Sequence, residues 1–258
     1  MITGLTATVV FVTWCLLAYR ASGEAKDALK TDSRVTVVRD GAVWRFSPAG
    51  RSTKVPAGLL FFAGSLVDPV AYAPLARAVA AAGYPVILVS LPRRGAFGGA
   101  DGAAVLHSAL GAIHEDERAW QWLIGGHSRG AVVATRLAAE VTDMGSSTVA
   151  GLLLVGTSHP RDVDLSRFKR PVTKIFATND GLASVAKIEA NKRLLPPTTT
   201  WVRIEGGNHS QFGWYGFQPG DRFATISRED QHKQMITAVI DALRRVSDKS
   251  KSGLPPVY

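Results

Sequence analysis

One cysteine serves the whole chain of 258 residues, and that scarcity narrows the field at once. Cys15 alone excludes an intramolecular disulfide and any zinc site built on cysteines. Inside an apolar stretch it reads as a small hydrophobe. Also missing are repeats at solenoid period, low-complexity tracts and aromatic-interleaved basic strips. That last absence matters because the formal charge is +9, a balance that invites a nucleic-acid reading. The basic residues are scattered and diluted by acids, as Asp162 and Asp164 dilute the run from Arg161 to Arg170. No nucleic-acid-reading motif accompanies them, so no such partner is expected. A solvated cationic surface fits the charge, and so does attraction to anionic lipid headgroups.

Charge is absent altogether from Ile2 to Tyr19, and Arg20, Lys26, Lys30 and Arg34 follow. As a helix this stretch would reach roughly 27 Å, close to the hydrocarbon thickness of a bilayer. Thr3, Thr6, Thr8 and Thr13 dilute its apolarity. Three readings compete: a membrane anchor over residues 1–20, a signal peptide cleaved near Gly23, or a helix buried in the domain. A signal peptide ordinarily opens with a basic region, and none precedes Ile2. The anchor is favoured, with residues 21–32 as a linker, 33–246 as the catalytic domain and 247–258 as a frayed tail.

What is present is 46% apolar residues against 20% charged, enough to bury one core of ordinary globular type. Past Ser33, apolar runs alternate with helical patterns, which implies an α/β fold with a mainly parallel sheet and helices on both faces. Strands are expected at Arg34 to Val38 and Val43 to Phe46, joined by an Asp40-Gly41 turn. Further strands are expected at Gly58 to Ala63, Pro85 to Ser90, Trp120 to Ile124, Gly151 to Val155, Val172 to Phe176 and Thr199 to Ile204. Helices fall at Val70 to Ala82, with Asp68 as N-cap, and at Ala131 to Val141, Ala183 to Leu194 and Glu229 to Val246. The last carries an apolar stripe at Met235, Val239 and Leu243.

Gly126-His127-Ser128-Arg129-Gly130 matches the pattern Gly-x-Ser-x-Gly at the junction of a strand and a helix. A serine on so tight a turn is strained, and side chains at the flanking glycines would collide with neighbouring elements. The helix start beneath it offers N–H groups to negative charge. A serine hydroxyl needs an adjacent base. His107 and His114 read as solvated, His127 as a packing residue beside the serine, and His232 as exposed. His159 is a rival, but His209 is the better base because it follows the last strand in a glycine-rich loop. Asp180, just beyond the strand Val172 to Phe176, is the acid; it also suits an N-cap. Glu205 is the alternative acid. The oxyanion is assigned to the backbone amides of Arg129 and Ser65. No metal and no organic cofactor is required by this constellation.

At these residues the chain resembles the bacterial α/β-hydrolases of the compact, capless, dienelactone-hydrolase-like branch. The resemblance runs from about Pro56 to Leu243. It rests on Gly64 with Val67-Asp68-Pro69-x-Ala71-Tyr72, on Gly125 to Gly130 and on Asn179-Asp180-Gly181. Its most specific part is Glu205-Gly206-Gly207-Asn208-His209-x-Gln211-Phe212-Gly213-x-Tyr215-Gly216. It implies Ser128, Asp180 and His209 as a catalytic triad acting on a small-molecule ester or acyl substrate. Arg129 departs from the pattern, where relatives more often carry a small or aliphatic residue. Gly156 to Arg170 is too short for a cap domain, so the site should be open. It should be shaped by the loop Leu91 to Asp101 and by Phe212 to Phe217, with Arg93 and Arg94 near its rim either solvated or meeting an anionic substrate.

Overall fold

Val35–Asp40 (β1) and Val43–Pro48 (β2) pair in the expected antiparallel hairpin, with Gly41 in the turn at a φ of +55°. The computed structural model describes residues 2–50, 53–96, 98–100, 102–143 and 147–253. Six more strands follow: β3 (Val55–Phe62), β4 (Val86–Val89), β5 (Ala119–His127), β6 (Val149–Val155), β7 (Val172–Ala177) and β8 (Thr200–Ile204). They form one sheet in the order β1-β2-β4-β3-β5-β6-β7-β8. β3 to β8 are mutually parallel, and β2 meets β4 antiparallel. The helices are α1 (Ile2–Ala18), α2 (Gly23–Asp27), α3 (Ala73–Ala81), α4 (Ala103–His114), α5 (Arg129–Asp143), α6 (Val185–Ala190) and α7 (Arg228–Gly253).

Strand alternation divides the core between the two faces of the sheet. Leu59 and Phe61 of β3 pack with Leu75 and Val79 of α3 and with the predicted stripe Met235, Val239 and Leu243 of α7. Leu60 and Phe62 point the other way, toward Val105 and Ala109 of α4 and Leu137 and Val141 of α5. Each such fully buried side chain contributes about 1.5–3 kcal/mol of transfer free energy. The strand order reverses beside β3, which lies between β4 and β5. A crevice opens there at the carboxyl ends of the parallel strands, where ligands bind in open α/β sheets. No helix or strand interrupts the chain between β6 and β7, so no cap domain is inserted there.

Several boundaries differ from expectation. β3 starts earlier, at Val55, and includes Pro56. That proline precedes Leu59, where pairing with β4 begins, so its missing N–H leaves no ladder bond unmade. β5 runs on through Gly125 and Gly126 to His127, because close neighbours need those glycines inside the sheet. The last helix continues past Ser247, which is buried and donates to the Leu243 carbonyl. Residues 254–258 of the expected tail lie outside the described residues. The stretch 21–32, expected as a linker, contains α2, and its Ala25 is fully buried in the core.

The N-terminal segment is helical, as the anchor reading requires, but short. α1 is 17 residues long, and among the described residues no helix is long and apolar enough to cross a membrane. At 1.5 Å per residue α1 reaches about 25 Å. It stops where the domain captures its end. The Ala18 carbonyl accepts from Gly216 N–H (2.6 Å), and the Tyr19 carbonyl accepts from Asp68 N–H (2.9 Å). Ser22 N–H donates to the Trp214 carbonyl at 2.8 Å. Val9, Val10, Phe11, Trp14 and Leu17 remain exposed on α1.

Candidate active site

β5 ends at His127 and α5 begins at Arg129, which leaves Ser128 alone at the corner between them. Its φ of +53° is a left-handed conformation that costs a residue with a β-carbon on the order of 1–3 kcal/mol. The corner is held by Ser128 N–H on the Val155 carbonyl (3.0 Å) and by Ala131 N–H on the Ser128 carbonyl (3.1 Å). The flanking glycines have the steric reason predicted for them. A β-carbon on Gly126 would lie 2.4 Å from the Gly130 carbonyl carbon, and one on Gly130 would lie 2.2 Å from the Phe62 carbonyl oxygen.

Asp180 and His209 meet across the ends of β7 and β8. Asp180 is fully buried and His209 is 1% exposed. His209 Nδ1 lies 2.8 Å from Asp180 Oδ2. The other carboxylate oxygen accepts from Leu182 N–H (2.8 Å) and Ala183 N–H (2.6 Å). Asp180 therefore caps the following turn and orients the histidine with the same group. His209 Nε2 is buried and has no hydrogen-bond partner among the described residues. It does not bond to Ser128 at rest, yet both residues line one cavity of about 170 Å³, together with Arg129, Thr157, His159 and Arg161. Larger hollows beside Trp120 (about 490 Å³) and along α7 (about 680 Å³) contain no histidine. Chemistry rather than volume marks the site.

At the end of β3, Gly64 N–H donates to the Tyr72 hydroxyl (3.1 Å) and Leu66 N–H to the Arg94 carbonyl (2.6 Å). Ser65 N–H, between them, has no acceptor among the described residues. Ser65 is not on the cavity lining, whereas Arg129 is. The Tyr72 hydroxyl, which accepts from Gly64, lies 2.8 Å from His127 Nδ1 and has its own proton to give there. Burial holds His127 well below the usual imidazole range, with the neighbouring His209 adding to the shift. Its ring packs 4.4 Å from the His209 ring. His127 is thus the packing residue it was expected to be, and it backs the His209 ring.

The remaining histidines sort by environment. His107 and His114 are exposed, as expected. His232 is not: it is 3% exposed, accepts from Trp214 Nε1–H at 3.2 Å, and burial pushes it down to about 3. The rival base His159 sits across the cavity without a carboxylate hydrogen bond, its Nδ1 3.6 Å from Asp162. Burial lowers it to about 4. Glu205, the alternative acid, is exposed and paired with Arg203 at 2.5 Å. Arg93 and Arg94 are exposed, with φ of +50° and +51°, and neither is on the cavity lining. Within the expected rim loop, Phe97 and Asp101 lie outside the described residues.

Two polar features escaped the sequence reading. Lys174 is 2% exposed on β7, and its ammonium donates to the His159 carbonyl beneath the cavity wall. Burial, reinforced by Arg161, pushes it down to about 7. A lysine inside the apolar run Val172 to Phe176 was the signal available for it. Asp221 touches three residues of the acid and histidine loops. It had no local signal beyond a Pro219-Gly220 turn.

Comparison with known proteins agrees with this architecture. A family model described as "Alpha/beta hydrolase family" matches residues 58–233. Curated proteins give no match. Among solved structures, a fungal esterase from Rhizomucor miehei shares a TM-score of 0.65 at 13% identity, over 95% of this chain and 92% of its own. The Pyrobaculum calidifontis esterase gives 0.62 at 15% identity, over 85% and 87%. P91, a dienelactone hydrolase-like promiscuous phosphotriesterase from metagenomic libraries, gives 0.55 at 16%, over 81% and 97%. At such identities these likenesses speak to the fold. The family match covers most of the chain and includes the serine corner, Asp180 and His209, so this protein belongs to the alpha/beta hydrolase family.

Proposed function

We propose that the protein is a serine hydrolase that cleaves a carboxylic ester, or a related acyl bond, of a small molecule. One observation carries this reading. A buried imidazole bonded to a buried carboxylate keeps its second nitrogen unpartnered on the cavity that Ser128 lines. Hydrogen bonds of this kind are commonly loose in a resting enzyme and tighten with substrate bound. Ser128 Oγ attacks the acyl carbon and its proton passes to His209 Nε2, while Asp180 holds the ring through Nδ1 and stabilises the imidazolium. The amides of Arg129 and Ser65 receive the oxyanion. Collapse of the tetrahedral adduct breaks the bond to the leaving group, which takes the proton from His209. Water then attacks the acyl-serine in the same way, and the free acid leaves. These steps use no metal and no organic cofactor.

A second reading, a lipase or acyltransferase using the same residues, is favoured by the exposed apolar side chains of α1. Association with a membrane through residues 2–19 belongs to this reading, and partition of the full chain with lipid vesicles would measure it. The decisive test is fluorophosphonate labelling of the full chain beside Ser128→Ala, followed by a p-nitrophenyl ester screen with and without alcohol acceptors. Labelling and turnover confined to the wild type are expected. Ester transfer to the alcohol in preference to hydrolysis would select the second reading. A folded wild type that neither labels nor turns over any ester sinks both.

A further inference from the structure

Asp221 lies 41 residues after Asp180 and 12 after His209 in the chain, yet it bonds directly to the loops of both. Its Oδ1 accepts from His209 N–H (3.2 Å) and from Gly181 N–H (3.1 Å). Oδ2 accepts from Ser210 N–H (2.8 Å) and from the Ser210 hydroxyl (2.7 Å). Oδ1 also takes the next amide along, Arg222 N–H at 2.9 Å. The surrounding strap repeats the pattern on both sides. Asn179 Nδ2 donates to the Phe223 carbonyl (3.2 Å), and Asn208 Nδ2 donates to the Arg222 carbonyl (2.7 Å). Ser210 Oγ in turn accepts from Gln218 N–H (2.9 Å), closing the strap on itself.

Gly181 explains how the strap comes so near. A β-carbon there would lie 2.3 Å from the Gly220 carbonyl oxygen and 2.9 Å from Asp221 Cα. The glycine after the triad acid is therefore the socket for the strap. One carboxylate thus sets the distance between the residue that follows Asp180 and the backbone of His209. The two loops also bond directly, Asn179 N–H to the Gly207 carbonyl (2.8 Å) and Gly206 N–H to the Thr178 hydroxyl (2.8 Å), and Asp221 adds the tie nearest the 2.8 Å contact between Asp180 and His209.

We infer that Asp221 is a positioning residue of the acid–base pair: it clamps the Asp180 and His209 loops together through backbone N–H groups. The inference rests on the serine-hydrolase reading for its kinetic consequence but not for its structural one. In Asp221→Asn, one acceptor oxygen becomes an N–H donor, so in neither orientation of the amide are the Gly181, His209 and Ser210 N–H groups all accepted, and the clamp is left with a donor facing a donor.

Asp221→Asn and Ser210→Ala are compared with the wild type, with rates normalised to sites titrated by a fluorophosphonate. For Asp221→Asn, kcat per titrated site is expected to fall on the order of 100-fold with KM nearly unchanged, as misplacement of about an ångström does. Ser210→Ala removes the hydroxyl contact and keeps the three amide contacts from Gly181, His209 and Ser210, so a smaller fall is expected. The far-downfield proton NMR signal of the His209–Asp180 hydrogen bond should vanish in Asp221→Asn and persist in the wild type. That signal needs no ester turnover. If the wild type carries it but hydrolyses nothing, the functional reading fails while the clamp stands. Wild-type kcat per titrated site and an intact signal in Asp221→Asn would overturn the clamp. Should Asp221→Asn not fold, hydrogen exchange of the wild type decides: the amides of Gly181, His209 and Ser210 should be protected together, and unprotected exchange at these amides overturns the clamp.

Discussion

On one side of the cavity, two loops and a strap are knitted by carboxylates accepting backbone N–H groups. Asp180 takes Leu182 and Ala183, and Asp221 takes Gly181, His209 and Ser210. On the other side, the chain after β6 hangs largely from side chains. Ser158 Oγ accepts from the Arg161 guanidinium, the Ser158 carbonyl accepts from Asn191 Nδ2 (3.0 Å), and the His159 carbonyl accepts from Lys174. The first wall is built on buried acceptors whose donors are fixed in the backbone. The second contains a buried cation, Lys174, that meets a carbonyl and, among the described residues, no carboxylate. Desolvation therefore acts differently on the two walls. Paired acids on the first wall are matched by several donors each, whereas the ammonium on the second carries an unrelieved cost of burial.

That contrast can be broken at its strongest point by Asp180→Asn. An amide still caps the turn but cannot fix the imidazole tautomer, so kcat should fall by about 10⁴-fold. Little change in thermal stability should accompany it. Ester kinetics and calorimetry on the same preparation check both halves, and a loss of less than tenfold would remove Asp180 from the proposed mechanism. The opposite wall predicts a gain instead. Lys174 titrates at about 7 when folded, against an ordinary 10.5, so the unfolded chain binds more protons throughout that window. Wild-type stability should therefore rise as pH climbs from 7 to 10.5. Lys174→Met should be more stable than wild type below pH 7, by at most about 5 kcal/mol, with the advantage shrinking toward pH 10.5. Denaturant midpoints across that range test the slope. A flat difference would mean that the ammonium is not paying for its burial. The smallest effect belongs to Ser158→Ala, which removes one acceptor from the exposed Arg161. About 1 kcal/mol or less is expected from denaturant titration; a loss of several kcal/mol would make this wall as tightly knitted as its opposite.

The sequence was most legible where chemistry and geometry are local. The serine corner is written in five consecutive residues, and the glycines at 126 and 130 are explained by contacts that any such corner must make. Asp180 and His209 could be read because each directly follows an apolar strand, and strand ends define the working edge of a parallel sheet. Local cues misled where a residue's role is set by a distant partner. The expected strands left out Pro56 and the Gly125-Gly126 pair, yet all three lie inside strands whose neighbours accommodate or require them. His232 read as exposed because its partner, Trp214, is 18 residues away in sequence. Asp221 carried no mark at all, since the donors it serves come from two other loops. The Ala21 to Ala28 stretch looked like a linker because its burial depends on α3 and the loop at Trp214, not on its own pattern.

The captured end of α1 has a consequence for processing of the chain. Ala18 and Tyr19 supply acceptors to Gly216 and Asp68, Ser22 supplies a donor to Trp214, and the Tyr19 ring meets Tyr215 edge-on at 6.3 Å. A β-carbon on Gly216 would come within 2.9 Å of the Ala18 carbonyl oxygen, so that seat is fitted to this segment. Trimming by a peptidase ahead of Ala18 would leave the seat filled. Trimming past Ser22 would strip acceptors from two amides and expose an aromatic ring on the loop that begins at His209. The bond at which the chain is cut would then decide whether the remaining domain keeps His209 in register or releases it.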